Sequence, residues 1–139
     1  MRLAVVVWIV LSLGGLSRGN DLERTIDAIR MVESSGGKDK ADGDDGRAIG
    51  DYQIWEPYWQ DGTRLLKVNW PYEDARDPAK ARKVVRAYIT GYQRAKGYPA
   101  TPETWARIHN GGPRGPEKKS TLVYLEKFRK NFAELYGKN

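Results

Sequence analysis

The chain has 139 residues, a formal net charge of +6 at pH 7, one histidine and no cysteine. This length favours a single domain, and a chain without cysteine cannot be held together by disulfides. With one histidine and no thiol, no zinc site is expected. The acidic segment that begins at Asp39 also fails the calcium-loop pattern, because Gly50 stands where the glutamate belongs. The basic residues are spread along the chain, unlike those of a nucleic-acid-binding arm. We therefore expect no metal, no cofactor and no nucleic-acid partner.

The N-terminal stretch has the pattern of a secretory signal peptide. A basic start precedes an apolar run from Leu3 to Leu13, and small residues lead to a cleavage point after Gly19. The run is too short to span a bilayer comfortably, and no later segment is apolar enough. We expect residues 1–19 to be a signal peptide and residues 20–139 to be one domain, secreted or periplasmic, without stable membrane insertion. A retained membrane anchor is the alternative.

Helical patterns dominate the rest of the chain. The expected helices are Asn20 or Asp21 to "SSGG", the segment "EPYWQDGTRLL", Pro78 to Gly97, Pro102 to Gly111, and about Ser120 onward. In two of them a capping residue, Asp77 or Thr101, precedes a proline at the first helical position. The glycine-rich segment from Ala41 to Ile54 predicts a short, irregular β-hairpin. The order of elements indicates a mostly helical α+β fold.

Glu33 lies in the last turn of the first helix, where the helix dipole disfavours a carboxylate. A residue that breaks a local rule is a hint of function. Cleavage of a glycosidic bond needs one carboxyl group that donates a proton and a second carboxylate that attacks or stabilises the developing cation. Glu33 suits the donor, and Asp42, Asp44 and Asp45 in the following loop all suit the second group. By composition alone, ordinary turn chemistry accounts for these aspartates better.

Two further segments have residue types that suit a sugar cleft. The aromatic-rich run "DYQIWEPYW" offers flat faces and an amide, and we expect Tyr52 and Gln53 near the cleft while some of the tryptophans are buried. His109 and Asn110 precede two glycines, which let the backbone approach a ligand closely. By composition alone this second segment is only a helix end.

Taken together, the motifs resemble the invertebrate-type lysozymes. The segments "VESSGG", "GDDG", "GDYQI" with "EPYWQDG", "WARIHNGGPRG" and "STLVYLEK" occur in that family's order and cover nearly all of residues 20–139. The resemblance implies a lysozyme-like fold with a small β-hairpin beside the active-site cleft. It also implies a muramidase that cleaves peptidoglycan glycan strands between N-acetylmuramic acid and N-acetylglucosamine.

The resemblance also implies roles for single residues. The family's catalytic glutamate falls on Glu33, the general acid. Aligning the family's glycine with Gly46 selects Asp44 as the nucleophile or stabiliser, with Asp45 and Asp42 as alternatives. The cleft-lining residues that the resemblance implies are Tyr52, Gln53, His109 and Asn110.

The chain departs from the family in one respect and has a second, more distant resemblance. Invertebrate-type lysozymes are rich in disulfides, so here core packing must hold the cleft, which suits a bacterial branch. Lytic transglycosylases share the Glu-Ser and Gly-x-x-Gln-Ile motifs but use one glutamate and release an anhydro product. The Pro-Tyr-Trp and His-Asn-Gly-Gly-Pro segments favour hydrolysis. An inactive lysozyme-like module that binds cell wall is a third interpretation.

Overall fold

The computed structural model describes residues 14–137, so residues 1–13 of the predicted signal peptide lie outside the described residues. The described chain is mostly helical. Its α-helices are α1 (Gly14–Ser34), α2 (Glu56–Leu66), α3 (Pro78–Lys96), α4 (Pro102–Gly111) and α5 (Leu122–Tyr136). Short 3₁₀ turns occur at Asp44–Gly46, Tyr72–Arg76, Gly115–Glu117 and Lys119–Thr121. None of the described helices has the length and apolar character needed to cross a membrane.

Two helices have the limits that their end residues predict. The Asp77 side chain accepts hydrogen bonds from the backbone N–H groups of Ala79 and Lys80 at the start of α3. Gly97, with a φ of 69°, ends the same helix in the left-handed conformation. Thr101 caps α4 by accepting a hydrogen bond from the backbone N–H of Thr104 at 3.3 Å. Local capping therefore decides these boundaries.

The first and last helices begin at other residues than expected. Among the described residues α1 already starts at Gly14, and no proline separates that residue from Asp21. Cleavage after Gly19 would leave the part of this helix from Asn20 onward. α5 starts at Leu122, since the preceding residues form the 3₁₀ turn Lys119–Thr121.

The predicted β-hairpin between Ala41 and Ile54 is not confirmed. Within the described range this segment forms no strand and contains two isolated antiparallel bridges, Gly43–Ala48 and Ile49–Ile54. Each bridge is closed at once by a tight turn, and residues of both turns have positive φ. Consecutive cross-strand pairs cannot form in so short a space, so the segment is a compact double turn.

The core lies around α3, which packs against α1, α2 and α4. Val84, Val85 and Ile89 of α3 are fully buried, as their helical spacing predicts. Trp59 from α2 and Trp105 from α4 fill the same cluster. With no cysteine in the chain, this packing holds the helices together. It brings the C-terminal ends of α1 and α4 to one side of the molecule.

Candidate active site

A cleft of about 720 Å³ lies where the ends of α1 and α4 meet the double turn and the start of α2. Residues far apart in the chain share its walls. They include Glu33, Gly43, Asp44, Gln53, Trp55, Tyr58, His109, Asn110, Gly111, Gly112 and Lys118. The structure thus brings together five of the six residues that sequence analysis selected, and it excludes Tyr52.

Hydrogen bonds hold the end of α1 that carries Glu33 in place. The Ser34 hydroxyl donates to the carbonyl of Asp51 at 2.7 Å and accepts from the backbone N–H of Gly37 at 2.9 Å. The buried Asp51 carboxylate accepts two hydrogen bonds from Arg30 and one from Lys40. The last turn of α1 is therefore tied to the double turn, which limits how far Glu33 can move within the cleft.

Glu33 is the most enclosed acidic group of the cleft. Its side chain is 19% exposed, and its Oε1 lies 3.2 Å from Nε2 of His109, whose own side chain is 3% exposed. On the other side of the imidazole, Nδ1 lies 2.9 Å from the hydroxyl of Tyr58. The three side chains form a series of close polar contacts that runs from α2 through α4 to α1.

Tyr58 determines which ring nitrogen of a neutral His109 bears the proton. Burial raises the pKa of Tyr58 well above its usual value, with smaller contributions from Tyr88 and Glu33. The hydroxyl therefore stays protonated and needs an acceptor, which Nδ1 of His109 provides. In the neutral imidazole the proton is then on Nε2, the nitrogen that faces Oε1 of Glu33. This arrangement places an N–H group beside the Glu33 carboxyl group.

The side chain of Tyr124 lies near Glu33 in the protein interior. Its hydroxyl is buried and has no hydrogen-bond partner within the part of the chain that the structure describes. Burial raises the pKa of Tyr124 well above its usual value, and the nearby Glu33 carboxylate raises it further. Glu33 thus has two buried side chains as neighbours, the imidazole of His109 and the phenol of Tyr124.

Asp44 faces the cleft from the double turn in quite different surroundings. It is exposed to solvent, and its Oδ2 accepts a hydrogen bond from the indole N–H of Trp55 at 3.0 Å. Asp44 and Asp45 both have left-handed backbone conformations, with φ of 50° and 56°. Asp44 lines the cleft and Asp45 does not.

Asp42 is engaged elsewhere. Both of its carboxylate oxygens accept hydrogen bonds from Arg76, and Arg76 lowers the pKa of Asp42 through them. The cleft therefore has two carboxylates, Glu33 and Asp44, one enclosed and one solvated. This is the asymmetry that acid-assisted glycosidic cleavage requires.

The expectation that Tyr52 lines the cleft is wrong. Its side chain is 1% exposed and belongs to the hydrophobic core, and its hydroxyl accepts a long hydrogen bond from Arg82 at 3.5 Å. The chain reverses at Gly50 to Gln53, where Gln53 has a φ of 48°, so that neighbouring side chains point in different directions. Tyr52 therefore turns inward, and Gln53 turns toward the cleft.

Gln53 and Asn110 present different groups to a ligand. The amide nitrogen of Gln53 already donates hydrogen bonds to the carbonyls of Ala41 and Gly50, which leaves Oε1 as the atom it can offer. Asn110 is exposed at the end of α4, just before two glycines. A Cβ atom at Gly111 would collide with the methyl group of Thr121, and Gly112 has a φ of 82°. Glycine is needed there for close packing and for the turn.

Three residues of the site had no clear sequence signal. Tyr58 and Trp55 are part of an aromatic run that suits a core equally well, and Tyr124 lies on an ordinary helical stripe. Only the tertiary contacts with His109, Asp44 and Glu33 give them a place in the site. Within residues 14–137, no group of three or more acidic or imidazole side chains is arranged to hold a metal ion.

Comparisons with known proteins find lysozymes among curated proteins and among solved structures. No protein-family model matches the chain. It is 45% identical over 84 residues to a lysozyme of Magallana gigas, an alignment that covers 58% of this chain and 57% of that protein. It is 36% identical over 83 residues to the invertebrate-type lysozyme of Ruditapes philippinarum, with 60% of each protein covered.

A solved structure extends the likeness to the fold. The inhibitor-bound lysozyme from Meretrix lusoria is 32% identical and superposes with a TM-score of 0.67 over 78% of this chain and 88% of that one. The chain spans less than two thirds of the length of the two curated relatives above, 57% and 60%. The match to the solved structure, by contrast, includes most of that chain.

Proposed function

This chain belongs to the invertebrate-type lysozyme family, and from that premise we propose that it is a muramidase. Its substrate is the peptidoglycan glycan strand, cleaved between N-acetylmuramic acid and N-acetylglucosamine. The observation that carries the proposal is the pair of unlike carboxylates in one cleft, Glu33 enclosed by His109 and tyrosines, and Asp44 exposed to water. Lysozyme is also the name that the relatives carry.

Glu33 acts as general acid. It donates its proton to the glycosidic oxygen while the bond from that oxygen to the anomeric carbon breaks. The series from Tyr58 through His109 supports this role, because it holds the Glu33 carboxyl group in one orientation. After the leaving sugar departs, the Glu33 carboxylate takes a proton from water, and the resulting hydroxide adds to the anomeric carbon.

Asp44 bears the negative charge that faces the developing cation. Either it attacks the anomeric carbon and forms a covalent intermediate, whose bond to Asp44 breaks when the hydroxide adds, or it stabilises the cation electrostatically. Its solvent exposure and its position on the wall of the cleft support this role, and the indole N–H of Trp55 donates a hydrogen bond to its carboxylate. Gln53, His109 and Asn110 border the sugar site, and Lys118 adds a cation at its rim.

The location is part of the proposal. A secreted or periplasmic protein is supported by the apolar N-terminal run and by the nature of the substrate. The intact mass of the exported protein tests it, since cleavage after Gly19 yields a chain that begins at Asn20.

Digestion of purified peptidoglycan tests the activity. Mass spectrometry of the released muropeptides should find reducing ends, the product of hydrolysis. Glu33→Gln should abolish release, while Glu134→Gln, the same change at an exposed position of α5, should leave it intact. Anhydro ends would indicate transglycosylation, and binding without any product would indicate a wall-binding module. Either result would overturn the muramidase proposal.

The second carboxylate is tested by a matched pair in the double turn. Asp44→Asn should reduce the rate of digestion by orders of magnitude, and Asp45→Asn should not. Both residues have left-handed backbones that asparagine tolerates, so the two variants differ only in which carboxylate they remove. Loss of activity in Asp45→Asn together with a fully active Asp44→Asn would move the role by one residue.

A further inference from the structure

We propose that Trp55 is a positioning residue for Asp44 and holds its carboxylate in the reactive orientation through the indole N–H. The inference rests on the proposed function, because it gives Trp55 a task in the same reaction. The indole Nε1 donates to Oδ2 of Asp44 at 3.0 Å. Among the described residues, this is the sole side-chain donor to that carboxylate.

The double turn by itself leaves Asp44 poorly constrained. The residue is exposed and lies in a 3₁₀ turn of three residues, and its backbone and that of Asp45 are left-handed. No packed side chain on that turn limits the rotation of the Asp44 side chain, since the residues of the turn are not buried. An aspartate that must meet one carbon atom needs an external contact to fix it, and a single hydrogen bond from a rigid ring provides one.

Trp55 is itself braced, as a positioning residue must be. The Arg47 guanidinium lies over the indole ring, 4.9 Å from its centroid. Arg47 also donates from Nε to the backbone carbonyl of Asp44 at 2.9 Å. The Tyr72 hydroxyl lies within hydrogen-bond distance of the carbonyls of Arg47 and Ile54. The indole, the guanidinium and Asp44 thus form a closed set of contacts.

Burial does not explain the presence of a tryptophan at this position. The Trp55 side chain is 41% exposed, whereas Trp59 and Trp105 are almost fully buried in the core. Its ring forms a wall shared by the main cleft and a second depression of about 380 Å³, which Arg47, Glu56 and Tyr72 also line. A large exposed indole at the edge of the cleft, joined to Asp44, is better explained by the reaction than by stability.

The test compares Trp55→Phe with the wild-type protein in digestion of soluble peptidoglycan fragments. Phenylalanine keeps a flat ring near Arg47 and removes the N–H donor, although its ring is smaller than the indole. We expect kcat to fall by about tenfold or more, the range for loss of a hydrogen bond to a charged group, while KM changes by less than about threefold. Trp70→Phe is the matched control, because Trp70 borders neither the cleft nor the second depression.

A double substitution separates positioning from a structural effect. In an Asp44→Asn background the same Trp55→Phe change should have little further effect on kcat, since the reacting carboxylate that Trp55 positions is no longer present.

The outcomes are separable. A Trp55→Phe variant that keeps kcat within twofold would overturn the inference and leave the muramidase proposal intact. A decrease in kcat of equal size in the Asp44→Asn background would also overturn it, because Trp55 would then act by another route. A wild-type protein that releases no product would overturn both.

Discussion

Removal of the buried charge at Asp51 should loosen the end of α1 that carries Glu33. Its side chain is 3% exposed and forms ion pairs with Arg30, at 2.5 Å, and with Lys40, at 3.3 Å. Asp51→Asn preserves the shape of the side chain and removes the charge. Loss of charge-assisted hydrogen bonds at a buried site costs about 2–3 kcal/mol of unfolding free energy, nearer the lower end because Arg30 is partly exposed.

For a chain of this size, that loss corresponds to a melting temperature lower by about 8–12 °C. Thermal and urea unfolding at neutral pH measure it. Asp45→Asn is the matched control, because Asp45 is exposed and accepts no hydrogen bond from a described residue; it should change stability by less than about 0.5 kcal/mol. Equal stability of the wild-type protein and Asp51→Asn would refute the reasoning.

The ion pairs of Asp51 with Arg30 and Lys40 also predict how the free energy of unfolding changes with pH. Burial acts to raise the pKa of Asp51, but hydrogen bonds from Arg30 and Lys40 outweigh it, and the folded-state pKa lies below the usual value. A depressed pKa stabilises the fold above the unfolded-state value, about 3.9, and that contribution is lost as the pH falls through the folded-state value. The stability difference between wild type and Asp51→Asn should therefore be full at pH 7 and shrink below about pH 4. A difference that stays constant down to pH 2 would contradict this account.

Two further substitutions test the assignment of the cleft. Tyr58→Phe removes the hydroxyl that determines which nitrogen of His109 bears the proton. We therefore expect kcat to fall by about tenfold, with KM nearly unchanged, in digestion of soluble peptidoglycan fragments. A variant with full activity would contradict the orienting role of the Tyr58 hydroxyl. Tyr52→Phe should leave both KM and kcat within about twofold, because Tyr52 lies in the core, and a large rise in KM would return it to the sugar site.

Local sequence determined most of the helical framework. The limits of α3 and α4 were predictable because a capping side chain, a proline and a terminal glycine act within a few residues of one another. The double turn was less predictable. Its glycines and aspartates indicate turns but do not determine how many consecutive residues pair, and the left-handed residues reduce the expected hairpin to two single bridges.

The candidate carboxylates had a sequence signal of a different kind. No single feature of Glu33 or Asp44 distinguishes a catalytic group from an end-of-helix or turn residue. The order of several motifs along the chain selected them, and the cleft contains both. The choice among Asp42, Asp44 and Asp45 rested on alignment to one glycine. In the structure Asp42 pairs with Arg76, which is 34 positions away in the chain, and it does not line the cleft.

The sequence by itself determined the helices and the core stripe of α3, because these depend on spacing and on short-range interactions. The two carboxylates were selected by the order of the motifs along the chain. Only the tertiary structure decided which neighbouring side chain faces the cleft, so that Tyr52 packs in the core and Gln53 borders the cleft. It also decided that Tyr58 contacts His109 across 51 positions and that Trp55 contacts Asp44 across 11. Such contacts depend on how whole helices and turns pack together, and the local spacing of residues does not indicate where the contacting side chain will lie.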